Sequence, residues 1–162
     1  MAYSFQTFAV NEILTSTKMN QIEVNVRDHV HGVSGVAALP QVTNSLGADV
    51  ALNNTANYFD GPSCAQGTAG IWEASGTVTV LDTTGAATFA VKLWDGTTVI
   101  ASAQMNSPGA SGDASCSLSG RISSPAGNIR ISVKDKSFTT GKIVFNNTSE
   151  SKDSTLTVTR VG

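Results

Sequence analysis

His29 and His31 are the only imidazoles in the 162-residue chain, and both lie ahead of a long stretch rich in Ser and Thr. One residue apart, they share a face of an extended strand but not of a helix. Three copies of the chain about one axis would gather six imidazoles, enough to ligate an octahedral metal. The simpler reading puts His29 at the negative end of a helix and His31 in solvent, and no metal or cofactor is expected. Acyl transfer needs a base beside its nucleophile, usually histidine, and residues 49–162 contain none. No Gly-x-Ser-x-Gly elbow occurs. Gly141-Lys142 lacks the upstream glycine and the following hydroxyl residue of a phosphate loop. Gly67-Thr68-Ala69-Gly70 is expected to follow no strand and open no helix, which disfavours a dinucleotide site. Asp60, Asp82, Asp95, Asp113, Asp135 and Asp153 include enough carboxylates for glycoside chemistry. Each adjoins Gly, Ser, Thr or Lys in an expected turn, however, and turn capping accounts for them. No catalytic residue is expected.

Recognition chemistry has a different set of candidates. Trp72 and Trp94 would serve as a sugar platform if exposed, and as core or subunit contacts if not. Arg121, Arg130, Lys134, Lys136, Lys142 and Lys152 are spread over several expected strands without an aromatic stripe, so nucleic acid is not an expected partner. The formal charge of −2 gives no pull toward an anionic membrane either, and no apolar run is long enough to span one. Asn53-Asn54-Thr55 and Asn146-Asn147-Thr148 match glycosylation acceptors, which matter only in a eukaryotic secretory pathway. Cys64 and Cys116 are expected as buried free thiols, with a single disulfide as the alternative.

The elements that must hold these residues are mostly strands. Ser and Thr supply 19 residues each, against 14 % charged and 40 % hydrophobic positions. That composition is too apolar for disorder and leans toward β structure. Beyond about Asp49, period-two segments arrive every 8 to 14 residues. Val78 and Val80 form one. Phe89, Val91 and Leu93 form another, with Ala90, Lys92 and Trp94 facing the other way. Asp95-Gly96 is the clearest hairpin turn. Ala114, Cys116, Leu118 and Ile122 follow, then Ile129, Ile131 and Val133 with Arg130, Ser132 and Lys134 outward. Phe138, Ile143 and Phe145 flank Gly141, and Leu156 and Val158 lie in a last strand. With a short strand near Val50–Asn53, about eight antiparallel strands result. A jelly-roll-like β-sandwich over residues 49–162 is the natural way to bury them.

Residues 1–33 follow other rules. Thr15 is placed to cap a helix, with Leu14 stapling onto Met19. Met19, Ile22, Val26 and Val30 then recur at spacings of three and four, and Gly32 ends the pattern. So short a helix is marginal alone and needs either its own β body or copies of itself. Residues 34–48 read as a small, flexible linker that would let a symmetric bundle sit beside a differently oriented body. Ahead of the helix, Tyr3, Phe5, Phe8 and Val10 load a terminal arm with apolar groups, suited to docking on another protein.

Phe8-Ala9-Val10-Asn11-Glu12-Ile13-Leu14-Thr15, followed by Met19-Asn20 and Val26-Arg27-Asp28-His29-Val30-His31-Gly32, resembles the opening of small virion proteins of tailed bacteriophages. There a short extended arm leads to a Leu-Thr helix start, a Met-Asn or Leu-Asn step and an Arg-Asp end. The body is similar in Tyr58-Phe59-Asp60-Gly61-Pro62-Ser63, Gly70-Ile71-Trp72 and Phe89-Ala90-Val91-Lys92-Leu93-Trp94-Asp95-Gly96. The resemblance implies a homotrimeric β-sandwich on the outside of the particle, as capsid decoration or cement, head fibre or tail fibre. A non-enzymatic capsid-decoration protein is the first expectation, its partners being itself and the major capsid protein. The arm, Leu14 and the stripe Met19, Ile22, Val26 and Val30 would form the attachment and oligomer interfaces. A receptor-binding tail fibre joined to tail components is the second expectation. A carbohydrate-binding module is the third, and a host-surface glycan is a further partner in both of these. The expected location is the virion surface after synthesis in the host cytoplasm, because Met1-Ala2-Tyr3-Ser4-Phe5-Gln6 lacks the features of a signal peptide.

Overall fold

The structure, a computed structural model, describes Met19, Asn20 and residues 39–162. Met19 and Asn20 are helical and exposed. The remaining expectations for the arm and helix (Tyr3, Phe5, Phe8, Val10, Leu14, Ile22, Val26, Val30) and for the histidines (His29, His31) lie outside the described residues. The chain divides into Met1–Leu39 and Pro40–Gly162, and the regular structure of the second unit is all strand, joined by turns and loops.

Ten strands follow in order: β1 (Gln41–Ser45), β2 (Val50–Leu52), β3 (Phe59–Cys64), β4 (Ile71–Asp82), β5 (Thr88–Trp94), β6 (Val99–Asn106), β7 (Asp113–Ser123), β8 (Ile129–Asp135), β9 (Gly141–Ile143) and β10 (Thr155–Arg160). The 12-residue β4 organises one sheet because it is long enough to be shared. Along one side it pairs with β7, from Ile71↔Ser123 to Leu81↔Asp113. Along the other it pairs first with β10, from Trp72↔Arg160 to Thr77↔Thr155, and then with β9, from Val80↔Ile143 to Asp82↔Gly141. The eight longer strands stand in the orders β1-β10-β4-β7 and β3-β8-β5-β6. This is the jelly roll, two interleaved Greek keys. β2 and β9 add a short extra pair beside β4.

Alternation explains the packing. Phe89, Val91 and Leu93 of β5 and Ile129, Ile131 and Val133 of β8 are buried, as the period-two pattern requires. They meet Val78, Val80, Leu156 and Val158 of the other sheet in one core. The hydroxyl content is explained on that sheet's outer face, where Thr43 pairs with Thr157 at 2.9 Å, Ser45 with Thr155 at 2.8 Å, Thr77 with Ser117 at 2.9 Å and Thr79 with Ser115 at 2.8 Å. Cross-strand pairs of this kind satisfy polar side chains without long charged ones.

Three details differ from the sequence reading. Residues 41–45, read as linker, form β1: Gln-Val-Thr-Asn-Ser is polar because an edge strand buries little, only Val42 packing on the core. Asp60 and Asp113 lie in strands, not turns. Gly67–Gly70 does follow a strand, β3, but it leads into β4 and opens no helix. Cys64 and Cys116 are free thiols, the first buried and the second partly so. The single S–H of Cys64 has the carbonyls of Val42 and Leu156 as alternative acceptors, and burial raises the pKa of both thiols.

Antiparallel pairing sends the connections to two ends. At one end lie residues 65–70, 95–98 and 124–128, the start of β1 and the end of β10. Arg160 N–H donates to Pro40 O at 2.9 Å there, and Ile71 N–H to Gly162 O at 2.8 Å. At the other end lie residues 83–87, 107–112, 136–140 and 144–154.

Candidate functional site: an aromatic and cationic sheet face

The outward residues of β5 and β8 sit side by side because Lys92 pairs with Ser132, Trp94 with Arg130 and Ala90 with Lys134. β3 flanks them, with Asp60 opposite Ser132. The result is one face carrying Trp94, Lys92, Arg130, Ser132, Lys134 and Asp60, with Tyr58 just ahead of β3. A relay of short hydrogen bonds fixes its centre. Trp94 Nε1–H donates to Ser132 Oγ at 2.6 Å, and that hydroxyl donates to Asp60 Oδ1 at 2.6 Å. Asp60 Oδ2 is 3.4 Å from Arg130 Nη1.

Lys92 occupies an unusual position. Its Nζ lies 3.2 Å from the centroid of the Trp94 ring and 4.3 Å from that of Tyr58. Arg130 approaches Trp94 at 4.9 Å and Lys134 approaches Tyr58 at 5.8 Å. Aromatic faces attract cations by about 0.5–2 kcal/mol each, so the rings hold the ammonium in place. Burial lowers the Lys92 pKa, Asp60 raises it, and Arg130 lowers it further. Neither Lys92 nor Lys134 has a carboxylate partner among the described residues. The face carries three cations and one anion.

The two tryptophans considered as platforms part company. Trp72 is core, 2 % exposed, with Nε1–H donating to Ala69 O at 3.0 Å. Trp94 lies on the face. The expectation that basic residues form no stripe with aromatics fails here, because Arg130 and Lys134 gather with Lys92 beside Trp94 and Tyr58. Pairing of β5 with β8 is non-local, so the chain order conceals the cluster. Lys92 and Ser132 are legible only as outward positions of their strands, Asp60 reads as a turn carboxylate, and Tyr58 carries no site signal of its own.

Elsewhere, acids act as turn clamps. Asp95 Oδ1 accepts N–H bonds from Thr97 at 2.9 Å and Thr98 at 2.6 Å, and Oδ2 accepts one from Ala126 at 2.7 Å. Asp153 accepts the N–H groups of Asn147 and Thr148. A shallow open depression of about 380 Å³ between residues 48–49 and 142–147 carries Lys142, already paired with Asp49 at 2.6 Å. It offers less unpaired charge than the sheet face.

No family model and no curated sequence matches the chain. Solved structures match it at low sequence identity. The Eiger TNF of S. frugiperda is 8 % identical over 76 % of this chain and 93 % of its own, with a TM-score of 0.49. The PRD1 vertex protein P5 is 15 % identical over 80 % of this chain and all of its own, with a TM-score of 0.36. The C-terminal CBM6 of LamC, a laminarinase of Zobellia galactanivorans, is 12 % identical over 75 % of this chain and all of its own, with a TM-score of 0.34. These likenesses concern the fold.

Proposed function

We propose that the chain is a non-enzymatic structural protein of a tailed-bacteriophage virion, a homotrimer that decorates the capsid. In this reading residues 1–33 are the attachment and oligomerisation segment, the residues between them and β1 are a linker, and the jelly roll is the displayed body. The observation that carries it is the placement of Pro40. The chain joins the body at the start of an edge strand, at the end of the sandwich where β10 also finishes. The residues ahead of Pro40 therefore enter the body at one end of its strands, which suits an N-terminal attachment segment. Support also comes from the resemblance of residues 8–32 to phage virion openings, and from Met19, a member of the apolar stripe that is 56 % exposed in the single chain.

Attachment through the arm is reasonable energetically. Ordering an extended arm costs about 1–2 kcal/mol per residue, and each buried aromatic offsets roughly 1.5–3 kcal/mol. Three arms in a trimer act together at high effective concentration. The test is deletion of residues 2–10 followed by co-sedimentation with particles. The truncated chain is expected to stay folded and leave the virions; normal occupancy would make the body the anchor and overturn this assignment.

A further inference from the structure

We propose that the outer face of the β3-β8-β5-β6 sheet binds an acidic saccharide, a pyranose unit bearing a carboxylate. This goes beyond the virion reading and does not depend on where the protein sits on a particle.

Charge gives the first half of the argument. Lys92, Lys134 and Arg130 share the face with one carboxylate, Asp60, which already engages Arg130 at 3.4 Å and Ser132 at 2.6 Å. An ammonium has three N–H donors. The Trp94 and Tyr58 rings position the Lys92 ammonium at 3.2 and 4.3 Å without neutralising its charge. An oxyanion supplies what these donors lack.

Asp60 gives the second half. Its side chain is 49 % exposed and, ionised, only accepts hydrogen bonds. A bare anion arriving at Lys92 would meet this carboxylate as a like charge. A neutral sugar would donate hydroxyls to Asp60 but leave the cations without a counter-charge. A sugar acid satisfies both, with its carboxylate toward the lysines and its hydroxyls toward Asp60. Tyr58, 40 % exposed, adds an apolar flank for the ring C–H groups. A second copy of the same face is a poor occupant, because isologous pairing would oppose like charges.

The test is calorimetric titration of the full chain with four probes: trigalacturonic acid, sialyllactose, maltotriose and triglutamate. At least one of the two acidic sugars is expected to bind at about millimolar concentration or below. Maltotriose and triglutamate are expected to bind about tenfold more weakly or not at all. Lys92→Gln should weaken the acidic sugar by about tenfold, the value of one charge-assisted hydrogen bond. Lys134→Gln, which leaves the Lys92 packing intact, should weaken it similarly. Binding of neither acidic sugar, equal binding of triglutamate, or unchanged binding by both variants would overturn the proposal. Particle attachment is read separately by co-sedimentation, so either proposal can fail alone.

Discussion

Asp82 and Asp135 meet in the interior, each 0 % exposed, and one oxygen of Asp135 has no N–H or O–H donor. Asp82 accepts the Thr84 N–H at 2.6 Å and the Thr140 hydroxyl at 3.0–3.1 Å. Asp135 Oδ1 accepts the N–H groups of Ser137 at 2.8 Å and Phe138 at 3.0 Å. Its Oδ2 lies against Gly141, where a Cβ would collide with it, and beside the Asp82 carboxylate. Burial raises the Asp135 pKa, the Phe138 and Ser137 N–H groups lower it, and the neighbouring Asp82 raises it again. The pair holds one proton more readily than two separate carboxylates would.

The sign of the consequence follows from that raised value. The folded chain keeps a proton that the unfolded chain releases, so this contribution is full below the ordinary aspartate range. It is lost as pH rises from there through the folded value. Asp135→Asn keeps the acceptor for Ser137 and Phe138 and donates permanently to Asp82. The variant is expected to be more stable than the parent at neutral pH by about 1 kcal/mol, with the gain vanishing in acid. Denaturant melts at two pH values measure this.

Asp95 behaves in the opposite direction. Burial raises its pKa, but the N–H groups of Thr98, Ala126 and Thr97 outweigh that and leave it lowered. Its stabilisation is present at neutral pH and lost as pH falls through the carboxylate range. Asp95→Ala frees three N–H groups in two turns and is expected to cost about 2–4 kcal/mol at pH 7. The cost should shrink in acid, as read by chemical unfolding at both pH values.

Leu93 is fully buried and its neighbours Lys92 and Trp94 face outward. Leu93→Ala is expected to cost about 2–5 kcal/mol, measured as a loss of melting temperature. An unchanged melting temperature would contradict the β5 register, since a one-residue slip exchanges the two faces.

The Met19, Ile22, Val26 stripe predicts self-association through the N-terminal segment. Light scattering of the full chain at micromolar concentration is expected to return a trimer, and a chain starting at Leu39 a monomer. A monomeric full chain would contradict the assignment.

Much of the sandwich was legible because alternation is local. Phe89, Val91, Leu93, Ile129, Ile131 and Val133 are read inward from spacing alone, and they are inward. β1 was not legible, since Gln41, Thr43 and Asn44 carry no apolar signal and its partner β10 lies more than a hundred residues away. The sheet face was half legible. Lys92 and Trp94 on one strand, and Arg130, Ser132 and Lys134 on another, were read as outward. What brings them together is the β5–β8 ladder, a pairing of distant segments that no local pattern specifies. The aspartates divide similarly: Asp82, Asp95, Asp135 and Asp153 clamp turns as their neighbours imply, while Asp60 is drawn onto the sheet by β3.

The proposed assignment is tested most directly by labelled electron imaging of particles of the phage that, on this proposal, encodes the chain. Many copies in a regular array on the head, absent when the protein is omitted, is the expected result. A few copies confined to the tail would contradict the decoration role, and absence from purified particles would contradict the virion assignment altogether.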